Sequence, residues 1–221
     1  MRRYTASALA ATAAALTALA LLPATAASAD STVLTYGSAA GNAVSVGDVL
    51  TGSLASGTKA ALATTSGGTS GITCTGSTLS ATVTANPAAP GTATESATSQ
   101  TFSGCTSNVL GVTGVQSITV NNLPYSTSAS SDGTVTVTPA SGSTIQTTVV
   151  LSTLLGSITC VYRAPSLSAA SSNSATSLAF TNQAFTKYSG SFLCAGNGYF
   201  TATYAPVVDS SVSGSPAVYT N

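Results

Sequence analysis

Apolar side chains return at every second position along much of this chain, and that alternation restricts the fold more than any other feature. In Leu79-Ser80-Ala81-Thr82-Val83-Thr84 the apolar groups fall on one face of an extended strand and the hydroxyls on the other. Ile118–Val120, Thr134–Thr138, Ile158–Tyr162 and Tyr199–Tyr204 repeat the pattern with Val, Ile, Thr, Tyr and Phe, the residues that suit a half-buried pleated surface. Helix formers are scarce past residue 30, and Gly and β-branched residues recur too often for a long helix to hold. Ser131-Asp132-Gly133 predicts a hairpin turn between Tyr125–Ser130 and Thr134–Thr138, because Gly accepts the positive φ such turns need. Asn197-Gly198 carries a second turn signal. Asn86–Gly91, with two prolines, and Ala169–Thr176 read as loops. The expected fold is therefore all-β, an antiparallel β-sandwich of Ig-like or jelly-roll-like type.

The first residues read as an export leader. Met1-Arg2-Arg3-Tyr4 gives a positive end, Ala6–Leu22 is mostly Ala and Leu, and Ala27-Ser28-Ala29 offers the small side chains a signal peptidase accepts. Residues 1–29 are expected to be a signal peptide and 30–221 one β-domain, secreted to the extracellular space. Arg2-Arg3 also raises twin-arginine export, but Thr5 and Ala6 replace the bulky apolar residues that should follow, so the general secretory route fits better. No membrane attachment is expected after cleavage.

Four cysteines in an exported chain predict two disulfides among Cys74, Cys105, Cys160 and Cys194. Four cysteines allow three connectivities, and an internal resemblance bears on the choice. Ile72-Thr73-Cys74 recurs as Ile158-Thr159-Cys160, and Leu79–Ala81 as Leu167–Ala169. Gln100-x-Phe102-Ser103 recurs as Gln183-x-Phe185-Thr186, and each copy closes on a cysteine. An internal duplication spanning 55–120 and 140–205 would pair Cys74 with Cys105 and Cys160 with Cys194. Asp30–Leu54 and Val112–Ser130 fall outside the matched motifs and would add edge strands to a common core. Two separate small sandwiches are the alternative arrangement.

Composition excludes several functions. Only 5% of residues are charged, five Lys/Arg against five Asp/Glu, and Ser and Thr fill about a third of the 221 positions. Without a basic cluster the chain cannot neutralise several phosphates, so no nucleic-acid partner is expected. Without His it cannot build a Ser-His-Asp triad, a Cys-His pair or a His-ligated metal site. Ser56-Gly57-Thr58-Lys59 has the spacing of a serine activated by a lysine, yet that chemistry requires a helix, which Gly57 and Thr58 disfavour. Asp48, Glu95, Asp132 and Asp209 are the carboxylates a glycosidase would draw on, and nothing in the sequence pairs them. Glu95 stands in a Ser/Thr-rich stretch after the proline loop, Asp132 belongs to its turn and Asp209 to the polar tail. Tyr162 beside Arg163, and Tyr188 beside Lys187, are the two places where an aromatic meets a cation. No catalytic, cofactor-binding or metal-binding residue is assigned.

In its leader, composition and cysteine use the chain resembles secreted Ser/Thr-rich β-proteins of actinobacterial type. More narrowly, it is similar to the neocarzinostatin-like apoproteins, which are exported, mildly acidic β-sandwiches with two disulfides. Their bridges close short loops whereas those expected here close thirty-odd residues, and no motif aligns residue by residue, so the resemblance transfers no ligand site. The functional expectation is a non-catalytic extracellular protein, a binding module or surface component acting on an extracellular partner or small molecule. The alternatives are a carrier with an apolar cleft lined by Tyr, Phe and Leu, and a hydrolase of another type using Asp or Ser.

Overall fold

The computed structural model describes residues 31–221, so the leader lies outside the described residues. Fifteen strands account for the architecture. The first eight are β1 (Leu34–Tyr36), β2 (Asn42–Ala43), β3 (Val49–Leu54), β4 (Ala60–Ala63), β5 (Gly71–Ala85), β6 (Thr92–Ser107), β7 (Val112–Asn121) and β8 (Tyr125–Ser130). They are followed by β9 (Thr134–Thr138), β10 (Ile145–Thr153), β11 (Gly156–Ala164), β12 (Leu167–Ser172), β13 (Ser177–Gly190), β14 (Asn197–Asp209) and β15 (Val218–Thr220). Among the described residues there is no helix, so none could cross a membrane.

The all-β expectation holds, but the sandwich is replaced by a barrel. Successive antiparallel ladders run β3–β5–β6–β8–β9–β12–β13–β14, and β14 pairs back onto β3. The ring of eight strands is closed, which removes the free edges that two stacked sheets would leave. The strands responsible are β5, β6, β13 and β14, which are 13 to 16 residues long. Each outruns the closed ring and continues into a second tier. There β4 pairs with β5 and β14, β11 with β13, β10 with β11, and β7 with β10.

The second tier is not closed. Beyond Ala97, β6 pairs only with β5, and β7 pairs only with β10. β6 and β7 lie side by side without a backbone ladder, leaving a seam. At the opposite end of the molecule β1 pairs with β15 and β2, a small sheet that caps the closed ring.

The pairing scheme repeats. In the first half β3 and β4 both pair with β5, and β5 pairs with β6. In the second half β9 pairs with β12, β10 with β11, and both β11 and β12 with β13. The last strand of each half crosses over, β14 onto β3 and β4, and β7 and β8 onto β10 and β9. Pro124 lies between β7 and β8, and Pro206 sits at the irregularity between Tyr204 and Val207 in the β14–β3 ladder, since a proline has no N–H to give a ladder.

Two disulfides close as Cys74–Cys105 and Cys160–Cys194. Cys74 and Cys105 are directly opposed on β5 and β6. Cys194 lies in the loop after β13 and reaches back to β11. Gly190 makes this crossing possible: at φ +129° a Cβ there would lie 2.4 Å from the Thr159 carbonyl oxygen and 3.0 Å from Cys194 Sγ.

Turn chemistry placed some elements accurately and misplaced others. The Ser131–Gly133 hairpin joins β8 to β9 with the expected limits, Gly133 at φ +85°. Asn197-Gly198 instead opens β14, where Gly198 is used because a Cβ would meet Leu62 Cδ1 at 2.8 Å. Of the second polar loop, Ala169–Ser172 is strand, paired along its length with β13 and at Ala169 and Ala170 with β9 as well. β3 and β8, expected at edges, are interior members of the ring.

Candidate functional site

Inside the two tiers lies a cavity of about 110 Å³ with a mostly apolar wall. The strand alternation builds it, because every second residue of β5, β6, β8 and β13 must point inward once the sheet closes on itself. Leu79, Ala97, Tyr125, Leu167 and Phe180 come from the closed ring, and Ile72, Tyr162, Phe185 and Phe200 from the second tier. Phe102 meets Phe200 edge-on with centroids 6.2 Å apart, Phe200 meets Phe180 at 5.7 Å, and Phe180 meets Tyr204 edge-on at 6.3 Å. Such edge and tilted contacts hold the rings in fixed positions.

Both sides of the seam contribute to the wall. Gln100 and Phe102 come from β6, Ile118 and Val120 from β7, and all four are half-buried. The interior therefore lies directly behind the one stretch of the second tier with no ladder across it.

Two of the buried phenols are tied to neighbouring groups. The Tyr204 hydroxyl accepts from Gln100 Nε2 and shares a hydrogen bond with Ser77 Oγ, both at 2.9 Å. The Tyr125 hydroxyl accepts from the Gln146 N–H at 3.0 Å and donates to the Asn121 carbonyl. Burial pushes both phenols above their ordinary range, partly offset by these hydrogen bonds.

Glu95 is the one carboxyl in the cavity wall. It is 9% exposed, lies between Val83 and Thr127 in adjacent ladders, and faces inward between Ala93 and Ala97. Among the described residues nothing donates a hydrogen bond to its carboxylate. Burial, with no compensating neighbour, raises its pKa from 4.5 to about 7. Glu95 also borders a second, smaller cavity of about 70 Å³ toward the β1–β15 cap, sharing this position with Leu79, Ala81 and Leu178.

The other sequence candidates lie elsewhere. Ser56 and Lys59 occupy the exposed turn between β3 and β4, with Gly57 at φ +75°, not a helix. Asp132 accepts from the Thr134 N–H at 2.8 Å within its turn, which lowers its pKa. Asp48 and Asp209, unpaired in the sequence reading, are brought together at the foot of the barrel. Asp209 is fully buried; Oδ1 accepts from the Ser211 N–H at 3.0 Å and Oδ2 has no partner. Burial raises its pKa, the Ser211 N–H opposes this, and the neighbouring Asp48 adds to the rise. Neither carboxylate borders the cavity.

Neither aromatic–cation pair is formed between sequence neighbours. Arg163 lies over the Tyr188 ring, 3.3 Å from its centroid, because β11 and β13 are adjacent there. Lys187 Nζ donates to the Cys194 carbonyl at 3.1 Å.

Sequence reasoning weighed Glu95 only as one of four unpaired carboxylates and missed its inward position. Its signal was present in Thr92-Ala93-Thr94-Glu95-Ser96-Ala97, where strict alternation places the carboxyl on the alanine face. Compared with protein families, curated proteins and solved structures, the chain matches none.

Proposed function

We propose that this is a secreted, non-catalytic binding protein that carries a small, largely apolar molecule inside its barrel. The observation that carries the reading is the 110 Å³ cavity, whose walls are the Phe, Tyr and Leu side chains a carrier requires. A dry apolar cavity of roughly 150 Å³ accepts benzene in a well-packed protein, so this one suits a ligand of about that size or slightly smaller. The β6–β7 seam supplies a route inward that needs no ladder hydrogen bond to break. The two disulfides and the leader-like first 29 residues support an extracellular setting. The repeated pairing scheme, aligned with the repeated Ile-Thr-Cys and Gln-x-Phe motifs, supports an ancestral duplication of one half-barrel.

Native mass spectrometry on protein secreted into culture medium tests this reading. The expected product begins near Asp30, is four hydrogens lighter than the reduced chain and retains or takes up one small apolar ligand. A ligand-free protein that also fails to bind benzene or n-hexane in ligand-observed NMR would overturn the carrier reading in favour of a surface component.

A further inference from the structure

Glu95 is the one carboxyl in the cavity wall, and among the described residues no group donates a hydrogen bond to it. A carboxyl so placed needs a reason, because an apolar residue of similar volume at this position would avoid its desolvation. Among the described residues no cation lies in the cavity wall to answer it. Lys59 is in an exposed turn, Lys187 is held by the Cys194 carbonyl, and Arg163 lies over Tyr188, itself 62% exposed on the outside. The cavity is thus an apolar enclosure with one acidic group and several aromatic faces, and all three features favour a compact cation with a hydrocarbon body.

We propose that the cavity is a binding site for a small aliphatic or aromatic amine, its hydrocarbon part against Phe102, Phe180 and Phe200 and its nitrogen on the carboxyl of Glu95. This rests on the carrier reading and specifies its ligand class. By the benzene comparison the amine has on the order of six heavy atoms. The amine arrives as its ammonium ion, and on binding the Glu95 carboxyl gives up its proton to solvent, so the resulting ion pair is buried with no net charge. An anionic ligand of the same size is rejected, since two carboxylates would share one apolar site with no cation between them.

The test compares n-pentylamine, its near-isostere n-hexane, and n-pentanoate on the full secreted protein and its Glu95→Gln variant, by ligand-observed NMR titration at neutral pH. The amine should bind the wild type at least tenfold more tightly than n-hexane, and n-pentanoate should not bind. In Glu95→Gln the amine should lose that tenfold advantage while n-hexane binds as before, which also shows that the variant is folded and its cavity intact. If n-hexane binds the wild type as well as the amine, or Glu95→Gln binds the amine undiminished, the amine proposal fails and the carrier reading stands. If neither ligand binds either protein, both fail.

Discussion

Glu95 makes the stability of the unliganded protein depend on pH in a direction opposite to that of most carboxylates. Its pKa rises from 4.5 to about 7 on folding. Between those values the folded chain holds a proton that the unfolded chain has released, so stability falls as pH rises through this window. The contribution is fully retained below pH 4.5 and lost above pH 7. A shift of this size corresponds to about 3 kcal/mol, at 1.36 kcal/mol per pKa unit. Glu95→Gln removes the titration while keeping the side-chain shape. Its amide is as unpartnered as the acid, but that cost does not vary with pH and cancels when each protein is compared with itself. Urea denaturation of both proteins at pH 4 and pH 8, disulfides intact, gives the two differences. Wild type should lose about 3 kcal/mol more than the variant over this interval; Asp209 titrates in both and cancels too. Equal losses in the two proteins would show that Glu95 is solvated or paired, and the argument for a desolvated acid in the barrel would fail.

Other perturbations test the framework. Phe200→Ala should cost about 3–5 kcal/mol, since it removes a buried ring that touches both Phe102 and Phe180, and should enlarge the cavity enough for a bulkier ligand; urea denaturation and benzene titration read the two effects. Replacing Cys74 and Cys105 together with Ser should lower stability by about 3–4 kcal/mol for a 31-residue separation, measurable as a shift in the urea midpoint. Gly190→Ala should destabilise markedly because the new Cβ collides with the Thr159 carbonyl and Cys194 Sγ, and thiol titration during refolding should show slower closure of Cys160–Cys194. Ala97→Leu should fill part of the cavity and abolish n-hexane binding without altering secondary structure by circular dichroism.

Local chemistry was legible where a residue type has one use. Gly133 after Asp132 fixed the β8–β9 hairpin, and the proline pair fixed the β5–β6 loop, because each conformation follows from backbone sterics alone. The repeated cysteine motifs led to the right bridges. Asn197-Gly198 misled because a glycine also serves where a neighbour comes close, here Leu62, and that neighbour is distant in sequence. Arg163 and Tyr188 escaped notice for the same reason, being joined only by the β11–β13 ladder.

The chain by itself determined strand rather than helix, which residues face inward along each strand, and the material of two bridges, since all of these depend on side chains a few bonds apart or on repeated spacing. Only the tertiary structure decided that the sheet closes instead of stacking, because closure depends on β3 finding both β5 and β14, a matter of long-range registry. The same closure turned Glu95 from one polar residue in a Ser/Thr-rich run into a solitary acid facing an apolar hollow, because the ring around it excludes most of the solvent and brings none of the described cations to that side.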